Sequence, residues 1–252
     1  MLEQAFETRY KVRGYDCGYG GPLKPLAIAN FFQEAAGDHA FALGIGMEEM
    51  FARGRTWMLS RLDIESEGWP QTGDEVIVRT WPAGTDRIFA VRYLEMLSAD
   101  GRRLAGARYD YLVVDIEKRR PVRPEKILDP DMRMDISPPY PDLLPGLQDT
   151  VGFEAEIPQG WKESFRVRIC PRHIDNNGHA NNGHLLNWLC DAVPAGERAS
   201  GATVRIKVDF VSEVKEGEEL AAYWTTGEAS NAKLSILARG DEIVARAMTR
   251  WI

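Results

Sequence analysis

Residues 164–193 read SFRVRICPRHIDNNGHANNGHLLNWLCDAV. Three textures follow one another. SFRVRIC is an extended run. PRHIDNNGHANNG is built almost wholly of residues that favour turns and helix caps. HLLNWLCDAV then switches to an apolar helical pattern. The same order is met once earlier, where FETRYKVRGYD (6–16) is extended, CGYGGPLKP (17–25) is a Gly/Pro loop and LAIANFFQEAAGDHAFALG (26–44) is helical. With Val12 set against Val167, Glu34 lies 22 positions and Asp191 24 positions downstream, so order and spacing nearly match.

The repetition continues. RLDIESEGWPQTGDEVIVRTW (61–81) parallels KVDFVSEVKEGEELAAYW (207–224), each a strand, a turn closing on Gly-acid, and a strand ending in Trp. SADGRRLAGARYDYLVV (98–114) parallels ARGDEIVARAMTRWI (238–252), each a hairpin turn with Asp and Gly before a strand of alternating small residues. Residues 121–145 hold seven of the 14 prolines. Proline has no N–H to give a ladder, so this segment reads as an extended connector across a surface. The expected architecture is α+β, one helix and one antiparallel sheet written twice. The expected division is 1–128, a linker at 129–160, and 161–252.

Composition narrows the function. With 44% hydrophobic and 27% charged residues the chain is globular, and no apolar run reaches the length of a membrane span. A net charge of -7 disfavours nonspecific nucleic-acid binding. Three scattered cysteines, Cys17, Cys170 and Cys190, form neither a disulfide framework nor a metal pattern, which fits a reducing cytoplasm. MLEQAFETRYKVRGY lacks the features of a leader, so the protein is expected to stay where it is made. GYGGP (18–22) lacks the spacing of a dinucleotide loop, and no cofactor is expected. Three of the four histidines, His173, His179 and His184, fall in the opening stretch, so near-neutral proton chemistry concentrates there.

Asp175, Asn177, His179, Asn181 and Asn182, followed by LLNWLCDAVP, resemble the signature of acyl-acyl-carrier-protein thioesterases, D-x-N-x-H-x-N-N ahead of a helix ending W-x-x-(D/E)-x-x-P. Phe32-Gln33-Glu34-Ala35, RTWMLSRLDIE (55–65) and RTWPAG (79–84) fit the same family in the expected order. The resemblance implies two tandem hotdog domains, each an antiparallel sheet wrapped around a central helix and related by pseudo-twofold symmetry. It implies a hydrolase that cuts the thioester between a fatty acyl chain and acyl carrier protein. It implies catalytic roles for Asp175, Asn177 and His179, and for Glu213 on a strand of the second half. In many plant members the next residue is Cys. Here it is Val214, which argues against a thiolate mechanism.

The residue types suit thioester hydrolysis, which needs an activated water or nucleophile, a donor for the developing oxyanion and a proton for the leaving thiolate. Asp175 or Glu213 can activate water, or Asp175 can attack directly, and the sequence leaves both open. Asn177 can position the water or contact the carbonyl, and His179 can orient a carboxylate or carry a proton. Positions 175, 177 and 179 share a side if the segment is extended. The N–H groups near 180–183, at the start of a helix capped by Asn181 or Asn182, are expected to hold the thioester oxygen. Trp57 is expected to line the substrate tunnel or the core. Arg166, Arg168 and Arg172, or the basic run at 117–126, are candidates for docking the acidic carrier. His39, His173, His184 and Cys190 read as structural, and Asp191 as either a support or a solvated helix residue. The first copy lacks the D-x-N-x-H pattern, so one site per chain is expected. Acyl-coenzyme A as substrate, and a non-catalytic acyl-binding protein, are the alternatives. Further dimerisation is left open.

Overall fold

A computed structural model describes residues 5–143, 147, 157, 159–198, 203–227 and 231–251. Part of the expected linker, at 144–146, 148–156 and 158, lies outside the described residues. The chain divides into two compact units, Met1–Leu23 with Asn30–Pro145, and Lys24–Ala29 with Gly146–Ile252.

The first unit contains β1 (Phe6–Lys11), most of α1 (Pro25–Ala42), α2 (Met47–Ala52), β2 (Arg55–Ser66), β3 (Glu75–Asp86), β4 (Phe89–Ser98), β5 (Arg103–Asp115) and the short β6 (Arg120–Val122). Its strands pair antiparallel in the order β1-β3-β4-β5-β2, with β6 on β5. The second unit contains β7 (Lys162–Arg168), α3 (Asn182–Asp191), β8 (Thr203–Phe210), β9 (Glu219–Thr226), β10 (Ala232–Arg239) and β11 (Glu242–Trp251), ordered β7-β9-β10-β11-β8. The two orders are the same topology written twice, and each unit is a hotdog domain.

The helices form where the apolar spacing demands a partner. Ile28, Phe32, Ala35 and His39 recur at helical intervals along α1 and are all buried. Phe31 stacks on Tyr10 of β1, and Phe32 meets Tyr109 of β5 edge-on at 6.1 Å. In α3, Leu185, Leu186, Leu189 and Cys190 are buried against β10 and β11. The hairpins turn where glycine allows a left-handed residue, Gly101 at φ 87° between β4 and β5, Gly240 at φ 58° between β10 and β11.

Equivalent hydrogen bonds confirm the duplication and correct its register. Val12 N–H donates to the Asp74 carbonyl and the Val12 carbonyl accepts from Gly73 N–H, just as Ile169 N–H donates to the Glu218 carbonyl and the Ile169 carbonyl accepts from Gly217 N–H. Val12 therefore corresponds to Ile169, two residues beyond the Val167 that the pattern suggested. A strand alternates with period two, so a slip of two keeps every side chain on its face and escapes a pattern match.

The described part of the connector runs over the first sheet. Met134 N–H donates to the Pro82 carbonyl, and Met134 joins Trp81 and Ala5 in a small apolar cluster. Pro139 and Tyr140 press on β5, where a Cβ on Gly106 would come within 2.6–2.8 Å of them. The strand carries glycine there because the connector leaves no room for a side chain.

Candidate active site

The polar stretch forms a tight hairpin, not the extended segment that would set 175, 177 and 179 side by side. Ile174 pairs with Ala180, Asp175 N–H donates to the His179 carbonyl at 2.8 Å, and Gly178 N–H to the Asp175 carbonyl at 3.0 Å. Gly178 takes φ 78°, which a side chain disfavours. Asp175 reinforces the turn from within. Its Oδ1 accepts the N–H of Asn177 at 2.8 Å and that of His179 at 3.4 Å. A short carboxylate that folds back on its own backbone in this way explains the Asp at the head of the turn.

Glu213 does not lie on a strand. β8 ends at Phe210, and Val211 and Ser212 both donate to the Val244 carbonyl, so the ladder breaks before Glu213. The loop that follows is tied to the hairpin because Ala180 N–H donates to the Val214 carbonyl at 2.8 Å. Val214 itself is buried, which suits an apolar residue there. This backbone link brings Glu213 to His179, with Oε2 3.2 Å from Nε2. Their side chains keep 40% and 30% exposure respectively, enough to meet a substrate. Asn177, in the same turn, carries a buried Oδ1 that has no hydrogen-bond partner among the described residues.

Arg239, at the end of β10, holds the Glu213 loop, and nothing in the sequence singled it out. Its Nη1 donates to the Glu213 carbonyl at 3.2 Å and to both Glu218 oxygens at 2.9 and 2.8 Å. Its Nη2 donates to Ser212 Oγ at 3.3 Å and Glu242 Oε2 at 2.6 Å. The Glu242 carboxylate, then Glu218, raise its pKa above the ordinary guanidinium value.

The helix start is less open than expected. Asn181 is the N-cap, its Oδ1 accepting Gly183 N–H at 2.7 Å. Ala180 N–H goes to Val214, and Asn181 N–H to the His173 carbonyl at 2.8 Å. Asn182 N–H alone among these is left without a partner among the described residues, so the expected set of oxygen donors reduces to one.

His173, His184 and Trp188 pack as a ring cluster behind the hairpin, with centroids 5.0–5.7 Å apart. Burial lowers the pKa of both histidines, and the Arg172 charge adds to it, so they stay neutral at pH 7. Cys190 is buried and its pKa is pushed up by burial. Asp191 accepts from Asn187 at 2.6 Å and lies 3.7 Å from Arg198, a local helix support.

The family models for the acyl-ACP thioesterase N-terminal domain and C-terminal domain match residues 3–130 and 154–252. The chain belongs to the acyl-ACP thioesterase family. It is 24% identical to the chloroplastic palmitoyl-acyl carrier protein thioesterase of Cuphea hookeriana over 98% of this chain and 62% of that protein. It is also 24% identical to the chloroplastic dodecanoyl-[acyl-carrier-protein] hydrolase of Cinnamomum camphora, over 98% and 67% of the respective lengths. The chain thus spans under two thirds of the Cuphea protein. Among solved structures, an acyl-ACP thioesterase from Bacteroides thetaiotaomicron superposes with TM-score 0.83 at 21% identity, over 98% of this chain and 97% of that one. The 12:0-ACP thioesterase of Umbellularia californica gives 0.79 at 19% identity, over 100% and 98%.

Against this acyl-ACP thioesterase fold the remaining expected residues divide. Arg168, at the exposed end of β7 opposite Glu219 in the ladder, makes no side-chain ion pair or hydrogen bond among the described residues. Arg172 donates to His173 Nε2 at 3.3 Å. Arg166 is committed to Glu163 at 2.8 Å and Glu219 at 3.5 Å, which leaves it less free to meet a carrier. Trp57, on β2 of the first unit, donates its Nε1–H to the Ile45 carbonyl at 2.8 Å and packs on the cluster of Ile45, Met50 and Val113. It is therefore a packing residue of that unit with its polar atom already used. No described helix is long and apolar enough to cross a membrane.

Proposed function

We propose that this chain hydrolyses the thioester of a fatty acyl chain carried on acyl carrier protein, with residues 161–252 supplying the catalytic groups and residues 1–128 the other domain beyond a linker at 129–160. The observation that carries the reading is the His179–Glu213 pair at 3.2 Å, in a turn that also carries Asn177 Oδ1 without a partner among the described residues. With Nε2–H donated to Glu213, the neutral imidazole presents Nδ1 as a base. Nδ1 takes a proton from a water, and the resulting hydroxide adds to the thioester carbonyl. Asn177 orients that water, and Asn182 N–H faces the developing oxyanion. Collapse of the tetrahedral intermediate breaks the C–S bond, and His179 returns the proton to the leaving thiolate. Water and thioester are thereby converted to fatty acid and thiol. Arg168 and Arg172 are the proposed contacts for the acidic carrier. Three free cysteines suit a reducing cytoplasm as the proposed compartment.

Thiol release from acyl-carrier-protein substrates of graded chain length, beside the matching coenzyme A esters, tests the reading. Preferential cleavage of the carrier esters is expected. Cleavage of coenzyme A esters alone would keep the chemistry and change the carrier, and no cleavage of either would leave an acyl-binding protein. His179→Ala and Glu213→Gln are each expected to lower kcat by about 10²-fold or more with KM little changed.

A further inference from the structure

The first unit buries a cation with no anion beside it. Arg92, in the middle of β4, is 7% exposed. Its Nη1 donates to His39 Nδ1 at 3.0 Å and to Thr80 Oγ1 at 3.1 Å. Its other N–H groups meet no acceptor, and no carboxylate pairs with it, among the described residues. Other buried charges of this unit are paired, Arg108 with Asp110 and Asp86, Glu95 with Arg79 and Arg103, and Asp115 with Arg55. A buried charge is stable only when paired or richly hydrogen-bonded, and two neutral acceptors on one nitrogen fall short of that.

A second polar group points the same way. Tyr109 stands directly across from Arg92 in the β4–β5 ladder, so both side chains leave the same face of the sheet. Tyr109 is wholly buried and its hydroxyl has no hydrogen-bond partner among the described residues. The surroundings are apolar, with Phe6 stacked on the His39 ring, Phe32 against Tyr109, and Leu94 buried on the same face of β4. Burial lowers the pKa of Arg92 to about 10 and that of His39 to about 4. At pH 7 the first is charged, and the second is a neutral acceptor that cannot compensate it.

The geometry points to a carboxylate-binding site inside the first unit, in which Arg92 and the Tyr109 hydroxyl receive the carboxylate of an otherwise apolar chain. Guanidinium and carboxylate match as planar, two-point partners, and the phenol adds a third donor. The apolar walls select an alkyl carboxylate over a small hydrated anion. Such a group has two sources, the free fatty acid that the proposed reaction makes or a carboxyl at the far end of the acyl chain. The site stands on the first unit alone and does not depend on the roles of His179 and Glu213.

Calorimetric titration of the full chain with decanoate, and with decanol as the neutral control, tests it. Arg92→Met is expected to weaken decanoate binding by about tenfold or more while leaving decanol unchanged, as loss of a charge-assisted pair requires. Tyr109→Phe weakens decanoate by a smaller factor, and His179→Ala leaves it unchanged. Should Arg92→Met not fold, Arg92→Lys and Tyr109→Phe carry the same comparison. Decanoate affinity equal to wild type in the Arg92 and Tyr109 variants overturns the site, as does a loss confined to His179→Ala, which would put the carboxylate at the hairpin. Turnover assigns the source. Inhibition by decanoate that Arg92→Met relieves marks the free acid. A preference for an ω-carboxydecanoyl over a decanoyl carrier ester that Arg92→Met abolishes marks the chain end.

Discussion

Two roles for Asp175, in the turn and in the reaction, can be separated by substitution. Its Oδ1 holds the hairpin through two backbone N–H groups, and direct attack on the thioester is the alternative role that the sequence left open. Asparagine keeps the acceptor and drops the charge. If the carboxylate serves the turn, Asp175→Asn retains activity within about tenfold, since a neutral acceptor costs on the order of 1 kcal/mol against a charged one. Asp175→Ala, which removes the acceptor, then loses far more. Steady-state rates of the two variants decide the matter, and a loss in Asp175→Asn as deep as in His179→Ala would make the carboxylate the attacking group. His39 gives a prediction about pH. Burial, then the Arg92 charge, lower its pKa from 6.5 to about 4 in the folded chain. The unfolded chain therefore binds the proton first as pH falls. The stability tied to neutral His39 is complete above about pH 6.5 and drains away between there and about pH 4. An NMR titration should find His39 with a midpoint near 4, and melting temperatures should fall through the same window more steeply in wild type than in His39→Gln. A His39 midpoint near 6.5 would contradict the burial.

At the scale of elements, the loop after β8 is positioned by Arg239 more than by its own sequence. The guanidinium binds the carbonyl of Glu213, the hydroxyl of Ser212 and two carboxylates. Loss of this clamp moves Glu213 away from His179 while leaving the apolar surroundings intact. Arg239→Met should lower kcat by up to about 10²-fold with little change in KM, and Arg239→Lys should recover part of the loss. A Glu213→Gln defect without any Arg239→Met defect would show that the loop holds its shape unaided. The contrast with the hairpin says what a sequence reveals. Asp-Asn-Asn-Gly-His is legible because a turn is local chemistry, with each residue bonding to neighbours a few positions away. Arg239 reaches Glu213 across 26 positions, and nothing in the residues around it marks that meeting. Glu213 was found through the family pattern, yet its place off the strand depended on where the Val244 carbonyl sits. Trp57 was legible as a large apolar residue, but only the Ile45 carbonyl shows that its N–H is already satisfied.

At the scale of the molecule, the doubled fold was readable because alternation, turn glycines and the connector prolines repeat in the same order. The register was not, because Ile169, one residue past the end of β7, continues the same alternation as Val167. The copies part company at the hairpin. The first unit closes the same turn, with Cys17 paired to Leu23 and Gly18 N–H donating to the Pro22 carbonyl at 2.8 Å, the counterpart of Asp175 and His179. Yet it carries Gly18, Gly20 and Pro22 where the second carries Asp175, Asn177 and His179. A turn that keeps its backbone bonds and has no functional side chains is a relic of duplication, retained for folding and released from chemistry. Tolerance to mutation should therefore be lopsided between two loops of one ancestry. In a saturation library scored for turnover, Gly18, Pro22 and the fully exposed Tyr19 should accept many residues, while positions 175, 177 and 179 accept few. Equal intolerance in both loops would mean that the first copy still takes part in the reaction.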